Sequence, residues 1–372
     1  MNRLGSEARL ICIGFQRWKQ PHLAPILKTL FQQVIFVRSA AHAGAFAPTS
    51  IDTLLRWSAS PPDGTLQLAN VTGAATIRME DGFIRSVGLG SDLVPPLSLV
   101  LDRQGIYFDP RTPSDLEVIL AKSDFPEDLL SRAQSIRSFI VEHGITKYNL
   151  EPRNTPQWPS GDKTVVLVPG QVEDDASIRF GCSSVNSNAK LLKAAREAEP
   201  HAFIVYKPHP DVISGNRRGR LALKEARYWA DHIESGLSVS SCIEGCDVLH
   251  TMTSLAGFDA LLRNKRVVTY GQPFYAGWGL TIDREQGGAA LQRRQRVLTL
   301  DELIAGTLVL YPLYWNSGTN MSTDCENVMQ QIVEQRNALE ASGSLEKHRT
   351  GLLRRQIRKG LRLLRAWLAP VS

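Results

Sequence analysis

No apolar run in this 372-residue chain approaches the roughly 20 residues that a membrane-spanning helix requires, so an integral membrane protein is not expected. Residues 1–6 lack the basic-then-apolar layout of a secretory signal, which points to the cytoplasm. Cysteine is scarce and scattered: Cys12, Cys182, Cys242, Cys246 and Cys325 are odd in number and contain no Cys-x-x-Cys pair. Neither a disulfide framework nor a zinc site is indicated. Also missing are the Gly-x-x-x-x-Gly-Lys-Ser/Thr loop, a Gly-x-Gly-x-x-Gly turn after the first strand, His-Glu-x-x-His and Gly-x-Ser-x-Gly. These absences argue against nucleotide triphosphatases, common dehydrogenases, zinc peptidases and α/β-hydrolases.

A net charge of +6 would suggest nucleic acid were it spread along the chain, but seven Lys or Arg residues and no acid lie between Arg349 and Arg365. The remainder is close to neutral, and no nucleic-acid partner is expected. Within 351–368, Leu353, Ile357, Leu361, Leu364 and Leu368 recur at helical spacing with cations on the other face and Trp367 near the end. This is the pattern of an amphipathic helix in an anionic membrane interface, where each Lys or Arg contributes about 1 kcal/mol. It equally describes a terminal helix docked on its own domain.

Short β-rich runs at 9–15 and 33–38 enclose a helical pattern at 21–31. Further strands are predicted at 75–79, 165–168, 202–206, 248–250 and 266–270, with helices at 114–120, 131–143, 189–198, 221–231 and 255–263. Strands alternating with helices predict parallel sheets covered on both faces. The polar, Pro-rich stretch 151–162 has linker composition and separates two α/β halves. The expected domains are 1–155, 156–315 and a helical segment at 316–372 carrying the basic tail.

Four clusters in the second half follow predicted strands. In Val165-Val-Leu-Val-Pro-Gly-Gln-Val-Glu-Asp-Asp-Ala-Ser177 a buried strand opens onto Gln171, Glu173, Asp174 and Asp175, beyond the carboxyl end where ligands collect in open α/β sheets. The same acids suit an N-cap, Asp174 or Asp175 for a helix at 187–198. In Tyr206-Lys-Pro-His-Pro-Asp211, prolines flank His209, and Lys207 with His209 would suit a phosphate. His250-Thr-Met-Thr-Ser254 runs into a helix whose first N–H groups, with Thr253 and Ser254, form either an anion site or an ordinary cap. In Tyr270-Gly-Gln-Pro-Phe-Tyr-Ala-Gly-Trp-Gly-Leu-Thr281, Phe274, Tyr275 and Trp278 offer flat surfaces for a sugar or base, or else plug a packed loop. In the first half, Glu80-Asp-Gly-Phe-Ile-Arg85 provides a carboxylate that serves as a base or as part of a turn with a salt bridge to Arg85.

Read together, these runs resemble the bacterial capsule-assembly β-Kdo transferases of the KpsC type, Kdo being 3-deoxy-D-manno-octulosonic acid. The resemblance spans nearly the whole chain, from Ile13-Gly-Phe15 with Trp18-Lys19, through Glu80-Asp-Gly-Phe83, Gln171 with Asp175-Ala-Ser177, and Lys207-Pro-His-Pro210, to Thr253-Ser-Leu255 and Pro273-Phe-Tyr-Ala-Gly-Trp-Gly-Leu-Thr281. It implies an α/β fold of GT-B architecture, with two Rossmann-like domains facing across a cleft and a C-terminal helix crossing back to the first. It also implies CMP-Kdo as donor, with no metal or other cofactor, and retaining transfer by double displacement. The motif match makes Asp175 the nucleophile, Gln171 its orienting group or that of the donor carboxylate, and Glu80 the acceptor-side base. Lys207, His209, Pro210, Thr253, Ser254, Asp259 and Gln272 make up the expected donor-binding set. Asp259 stands where the family is expected to carry Glu. Well-known members hold two related modules in tandem, and these residues contain one copy. The implied acceptor is a lipid-linked Kdo oligosaccharide, which favours the membrane reading of the tail and a peripheral position at the inner membrane face. Other capsule-assembly proteins are candidate partners. The competing readings are a transferase for another CMP-activated ulosonic acid and a non-catalytic capsule assembly or export component.

Overall fold

The computed structural model describes residues 8–57, 62–150, 154–209, 212, 219, 221–285, 287–343 and 360. In chain order the described residues form strands β1 (Arg9–Ile13), β2 (Gln33–Val37), β3 (Thr53–Trp57), β4 (Ala75–Asp81), β5 (Ser98–Asp102), β6 (Val165–Pro169), β7 (Phe203–Lys207), β8 (His232–Ile233), β9 (Val248–Thr251), β10 (Arg266–Thr269), β11 (Ile282–Asp283), β12 (Leu313–Asn316) and β13 (Met321–Thr323). They make two sheets, of order β13-β12-β5-β4-β3-β1-β2 and β11-β10-β9-β6-β7-β8. The chain divides accordingly into two compact units. The first comprises Met1–Ile106, Lys147–Leu150 and Thr307–Ser372, and the second Tyr107–Thr146 and Glu151–Gly306.

In the first unit, β2, β1, β3 and β4 are mutually parallel. Alternate residues along these strands serve opposite faces, as the two-residue period of a strand requires. Leu10, Cys12, Leu55, Ile77 and Met79 pack against Leu23, Ile26 and Leu27 of the helix Gln20–Leu30. On the other face Ile11, Ile13 and Leu54 meet Ala43 and Ala69. The expectation of a purely parallel sheet fails here, because β5 runs antiparallel to β4, β12 to β5, and β13 to β12. Between β4 and β5 the chain makes no helical crossover; it doubles back through residues 82–97 as a wide hairpin. Gly82 donates its N–H to the Ser98 carbonyl (2.9 Å), and a Cβ at that glycine would collide with the Ser98 hydroxyl.

The second sheet is parallel throughout. Val166, Val168, Ile204, Val248 and Val268 pack with Leu191, Leu192 and Ala195 of the helix Asn188–Ala198 in one core. Such strands, buried on both faces, read as the near-continuous apolar runs seen in the sequence.

The units depart from the boundaries expected after residues 155 and 315. Residues 107–146 join the second unit because their helices, Asp115–Lys122 and Glu127–His143, are tied there: Glu117 takes Arg293 (2.6 Å) and Arg294 (3.1 Å), and Arg137 donates to the Leu262 carbonyl (2.8 Å). Residues Lys147–Leu150 rejoin the first unit, where the Tyr148 carbonyl accepts from Gly88 (2.9 Å) and Asn149 donates to the Ser86 carbonyl (3.1 Å). Thr307 onward also returns to the first unit, bringing β12 onto β5 and the helix Cys325–Ala341 with it. No helix among the described residues is long and apolar enough to cross a membrane. The basic stretch 351–368 lies outside the described residues except for Gly360, and the stretch 151–162 is described only from residue 154. All five cysteines are free thiols.

Candidate active site

The carboxyl ends of β6, β7 and β9 in the second unit gather the polar groups that the sequence singled out. Gly170, immediately after β6, donates its N–H to the Lys207 carbonyl (2.8 Å). A Cβ at Gly170 would lie 2.9 Å from the Tyr206 hydroxyl and 3.2 Å from the His209 nitrogen, so glycine is what lets the two strand ends approach. Gln171 follows and is buried. Its backbone exchanges hydrogen bonds with the Asn188 amide, the N–H donating to Oδ1 and the carbonyl accepting from Nδ2, both at 2.8 Å.

The side chain of Gln171 starts a chain of hydrogen bonds. Its Oε1 accepts the Thr253 N–H (3.0 Å) and the Thr251 hydroxyl (3.3 Å), which orients Nε2 to donate to Thr253 Oγ1 (3.1 Å). Thr253 Oγ1 donates to Ser177 Oγ (3.0 Å), and Ser177 Oγ donates to Asp175 Oδ1 (2.8 Å). That same oxygen takes the Ser177 N–H (2.9 Å). Along the side-chain links from Gln171 through Thr253 and Ser177, each donor points toward the carboxylate. Asp175 is exposed, with Oδ1 doubly anchored and Oδ2 without a hydrogen-bond partner among the described residues.

The capping reading of the acid cluster holds, on a different helix from the one expected. Asp175 is the N-cap of a short helix, Ala176–Gly181, whereas Ser187 caps Asn188–Ala198. Glu173 accepts the Asn188 N–H (2.7 Å), and Asp174 is exposed.

The other expected donor-binding residues are placed unevenly. His209 is half-buried just past β7, and Pro210 lies outside the described residues. Ser254 caps the helix Leu255–Leu262 by accepting the Ala256 N–H (3.2 Å). Lys207 is turned inward: it is buried, and its ammonium donates to the Leu237 carbonyl. The turn carrying that carbonyl is organised by Glu234, which accepts from the N–H groups of Gly236 (2.8 Å) and Leu237 (3.0 Å) and from the Trp158 indole (3.0 Å). Burial would raise the Glu234 pKa, but these bonds outweigh it and hold the group at about 2. Asp259 is buried, and its charge joins burial in pushing the Tyr275 phenol up. Gln272 bridges two segments, its N–H donating to Gly181 O (2.9 Å) and its Oε1 accepting from Ala290 (3.0 Å).

The aromatic loop corrects one expectation. Phe274, Tyr275 and Trp278 are buried and offer no flat surface to a ligand. Trp278 Nε1 donates to the Phe274 carbonyl (2.8 Å), and the Tyr275 hydroxyl donates to the Ser254 carbonyl (2.5 Å) over Gly257, where a Cβ would strike it. The rings act as plugs that fix the Ser254 turn from behind. Their clamp is Arg294, which donates to the carbonyls of Pro273 (2.6 Å) and Ala276 (2.8 Å) and to Glu117 (3.2 Å).

In the first unit, Glu80 sits near the end of β4. Removal from water, reinforced by the Asp81 carboxylate, pushes its pKa up to about 7, against the opposing pull of the Asp81 N–H, Lys147 and Lys19. A carboxylate so tuned suits a general base near neutrality. The salt bridge to Arg85 expected of this turn is made by Asp81 (2.5 Å).

Sequence reasoning passed over Ser177 and Asn188 as parts of the site, and Glu117, Arg293 and Arg294 altogether. Ser177 stands two residues from an acid that it donates to, a local signal that was available. Glu117 and Arg294 are far apart in the chain, and nothing in either segment announces the other.

The fold and the polar strand ends define a two-unit α/β protein with a candidate site in each unit. The chain belongs to the family of capsule polysaccharide biosynthesis proteins, whose sequence profile it matches over residues 54–314. It is 42% identical over 348 residues to the capsule polysaccharide modification protein LipA of Neisseria meningitidis serogroup B. That alignment covers 94% of this chain and 48% of LipA, so the chain spans about half the length of that relative. Two solved structures of KpsC from Thermosulfurimonas dismutans are similar. The β-Kdo 2,7 transferase is 34% identical with a TM-score of 0.70, covering 88% of this chain and 99% of that one. The β-Kdo 2,4 transferase is 30% identical with a TM-score of 0.74, covering 87% and 97%.

Proposed function

We propose that the chain is a retaining β-Kdo transferase of GT-B type that uses CMP-Kdo and extends a lipid-linked Kdo acceptor in capsular polysaccharide biosynthesis. The observation that carries this reading is Asp175: at the end of a hydrogen-bond chain from Gln171, one carboxylate oxygen is held and the other is presented, in a chain similar to two Kdo transferases. In the first displacement Asp175 Oδ2 attacks the anomeric carbon, and the bond to the CMP phosphate breaks with its electron pair leaving on phosphate. His209 and the Thr253–Ser254 turn receive that anion. In the second, Glu80 takes the proton of an acceptor hydroxyl, whose oxygen displaces Asp175 and regenerates the carboxylate. Two inversions give retention. The basic stretch 351–368 has the composition to hold such an enzyme at an anionic membrane surface.

The test is intact-protein mass spectrometry of the full chain with freshly made CMP-Kdo. Asp175→Asn retains an N-cap, so loss of function in that variant reports on nucleophilicity rather than on helix capping. A Kdo adduct is expected in the wild type and in Asp174→Asn and is expected to be absent from Asp175→Asn. An adduct persisting in Asp175→Asn, or absent from the wild type, would overturn the mechanism.

A further inference from the structure

Lys19 is a half-buried charge at the end of the first strand's loop. It ends the short turn Arg17–Lys19 after β1, and its ammonium sits 3.1 Å from the centroid of the Trp57 ring at the end of β3 and 5.6 Å from that of Trp18. Cation–π contact of this kind stabilises an ammonium without using its N–H donors. Among the described residues no hydrogen bond or ion pair to Lys19 is formed, and the side chain is half-buried. The donors that do not face the Trp57 ring therefore have only solvent or a ligand to meet.

The surroundings are of mixed charge, the Asp81 and Glu80 carboxylates and the Arg85 guanidinium all acting on Lys19. Asp81 is held by Arg85, whose guanidinium is also committed to Ser86 (2.8 Å) and to the Val94 carbonyl (2.7 Å). Lys19 and Lys147 both act on Glu80, whose carboxyl burial and the Asp81 charge push up to about 7. The cluster lies at the carboxyl ends of β1, β3 and β4, which are parallel, where an open α/β sheet collects its ligand.

We propose that Lys19 binds the carboxylate of an acidic acceptor sugar, flanked by Trp18 and Trp57, and so presents the sugar's hydroxyl to Glu80. This rests on the transferase reading above and adds to it a residue that recognises the acceptor by its charge. An ammonium over an indole face is a compact point charge with donors to spare, suited to a carboxylate approaching from solvent. The same arrangement limits the working pH. Burial lowers the Lys19 pKa to about 8, with Arg85 adding to the fall and Asp81 and Glu80 opposing it. Recognition of the acid is therefore lost as pH rises through about 8.

The experiment measures binding of the full chain to a methyl glycoside of a Kdo disaccharide and to the same compound with both carboxylates converted to carboxamides. The wild type is expected to favour the acid by about 10-fold or more, a charge-assisted contact being worth roughly 1.5–3 kcal/mol. Lys19→Met is expected to bring the acid down to the affinity of the amide without changing the amide, and to remove the loss of binding above pH 8. Lys19→Arg is expected to recover part of the preference. In turnover, the effect is expected on the acceptor's KM rather than the donor's. If Lys19→Met weakens acid and amide alike, or leaves the acid unchanged, the assignment is overturned. A wild type that binds neither compound overturns it as well. Adduct formation on Asp175 then tells whether the transferase reading survives that failure.

Discussion

Asp175 combines a cap and a presented oxygen on one side chain, and the two roles need separate tests. Its held oxygen receives both donors of Ser177, while Ser177 is itself fixed by Thr253 and Thr253 by Gln171. Removing one hydroxyl from this chain should misdirect the carboxylate without removing it. Thr253→Val keeps the shape and loses the link. We expect it to slow adduct formation by about 10- to 100-fold, the range in which small misplacements of reacting groups act. Thr253→Ser, which restores a hydroxyl, should return the rate to within a few-fold of wild type. Stopped-time mass spectrometry of the adduct makes this comparison, and equal rates in the Val and wild-type proteins would show the chain of bonds to be structural only. Much of this site was legible because its signals are local: the apolar run before Pro169, the acids after Gln171, and the Thr-Ser pair ahead of a helix. The linkage was not, since Thr253 lies 76 residues from Ser177 and 82 from Gln171.

Most of the parallel strands were legible as short β-rich runs. β1, β2, β4, β6, β7, β9 and β10 all fall within or beside their predicted spans. β3, β5, β12 and β13 were not among the predicted strands, and β8 and β11 are only two residues each, too short for any period to show. Ring exposure in the 270–281 loop was not legible either, since composition gives the rings but not what covers them. Their position depends on the buried ion pair of Arg294 with Glu117 across the second unit. Burial lowers the Arg294 pKa, and the Glu117 carboxylate opposes that fall, so each group depends on the other. Replacing Arg294 by Leu leaves Glu117 with Arg293 alone and strips two carbonyls of their donor. A loss of about 3–5 kcal/mol is expected, the usual cost of breaking a buried pair, which lowers Tm by roughly 10 °C for a unit of this size. Arg294→Lys should recover little, because one ammonium cannot span Glu117 and both carbonyls. Thermal unfolding followed by calorimetry would show it, and a shift of less than a few degrees would mean the loop is held by its rings alone.

At the scale of the whole molecule, what the sequence separates most cleanly is charge. The bulk of the chain is close to neutral, whereas residues 351–372 carry six cations and no acid, interleaved with leucines. If the acceptor is lipid-linked, encounter with it is a surface process, and each cation near an anionic leaflet adds about 1 kcal/mol to residence there. Deleting 351–372 removes all six together with their apolar partners. We expect sedimentation with vesicles containing phosphatidylglycerol to fall by at least about 10-fold, and the binding that is lost to be the salt-sensitive part, because exposed charges are screened within about 8 Å at physiological ionic strength. Formation of the Asp175 adduct from soluble CMP-Kdo should persist in the truncated chain, since none of the residues in that hydrogen-bond network comes from the deleted stretch. Turnover on a lipid-linked acceptor should drop, and a water-soluble acceptor should rescue it. Loss of the adduct with unchanged vesicle binding would give the opposite answer: the stretch would then support the fold, and the membrane contact would have to come from another surface.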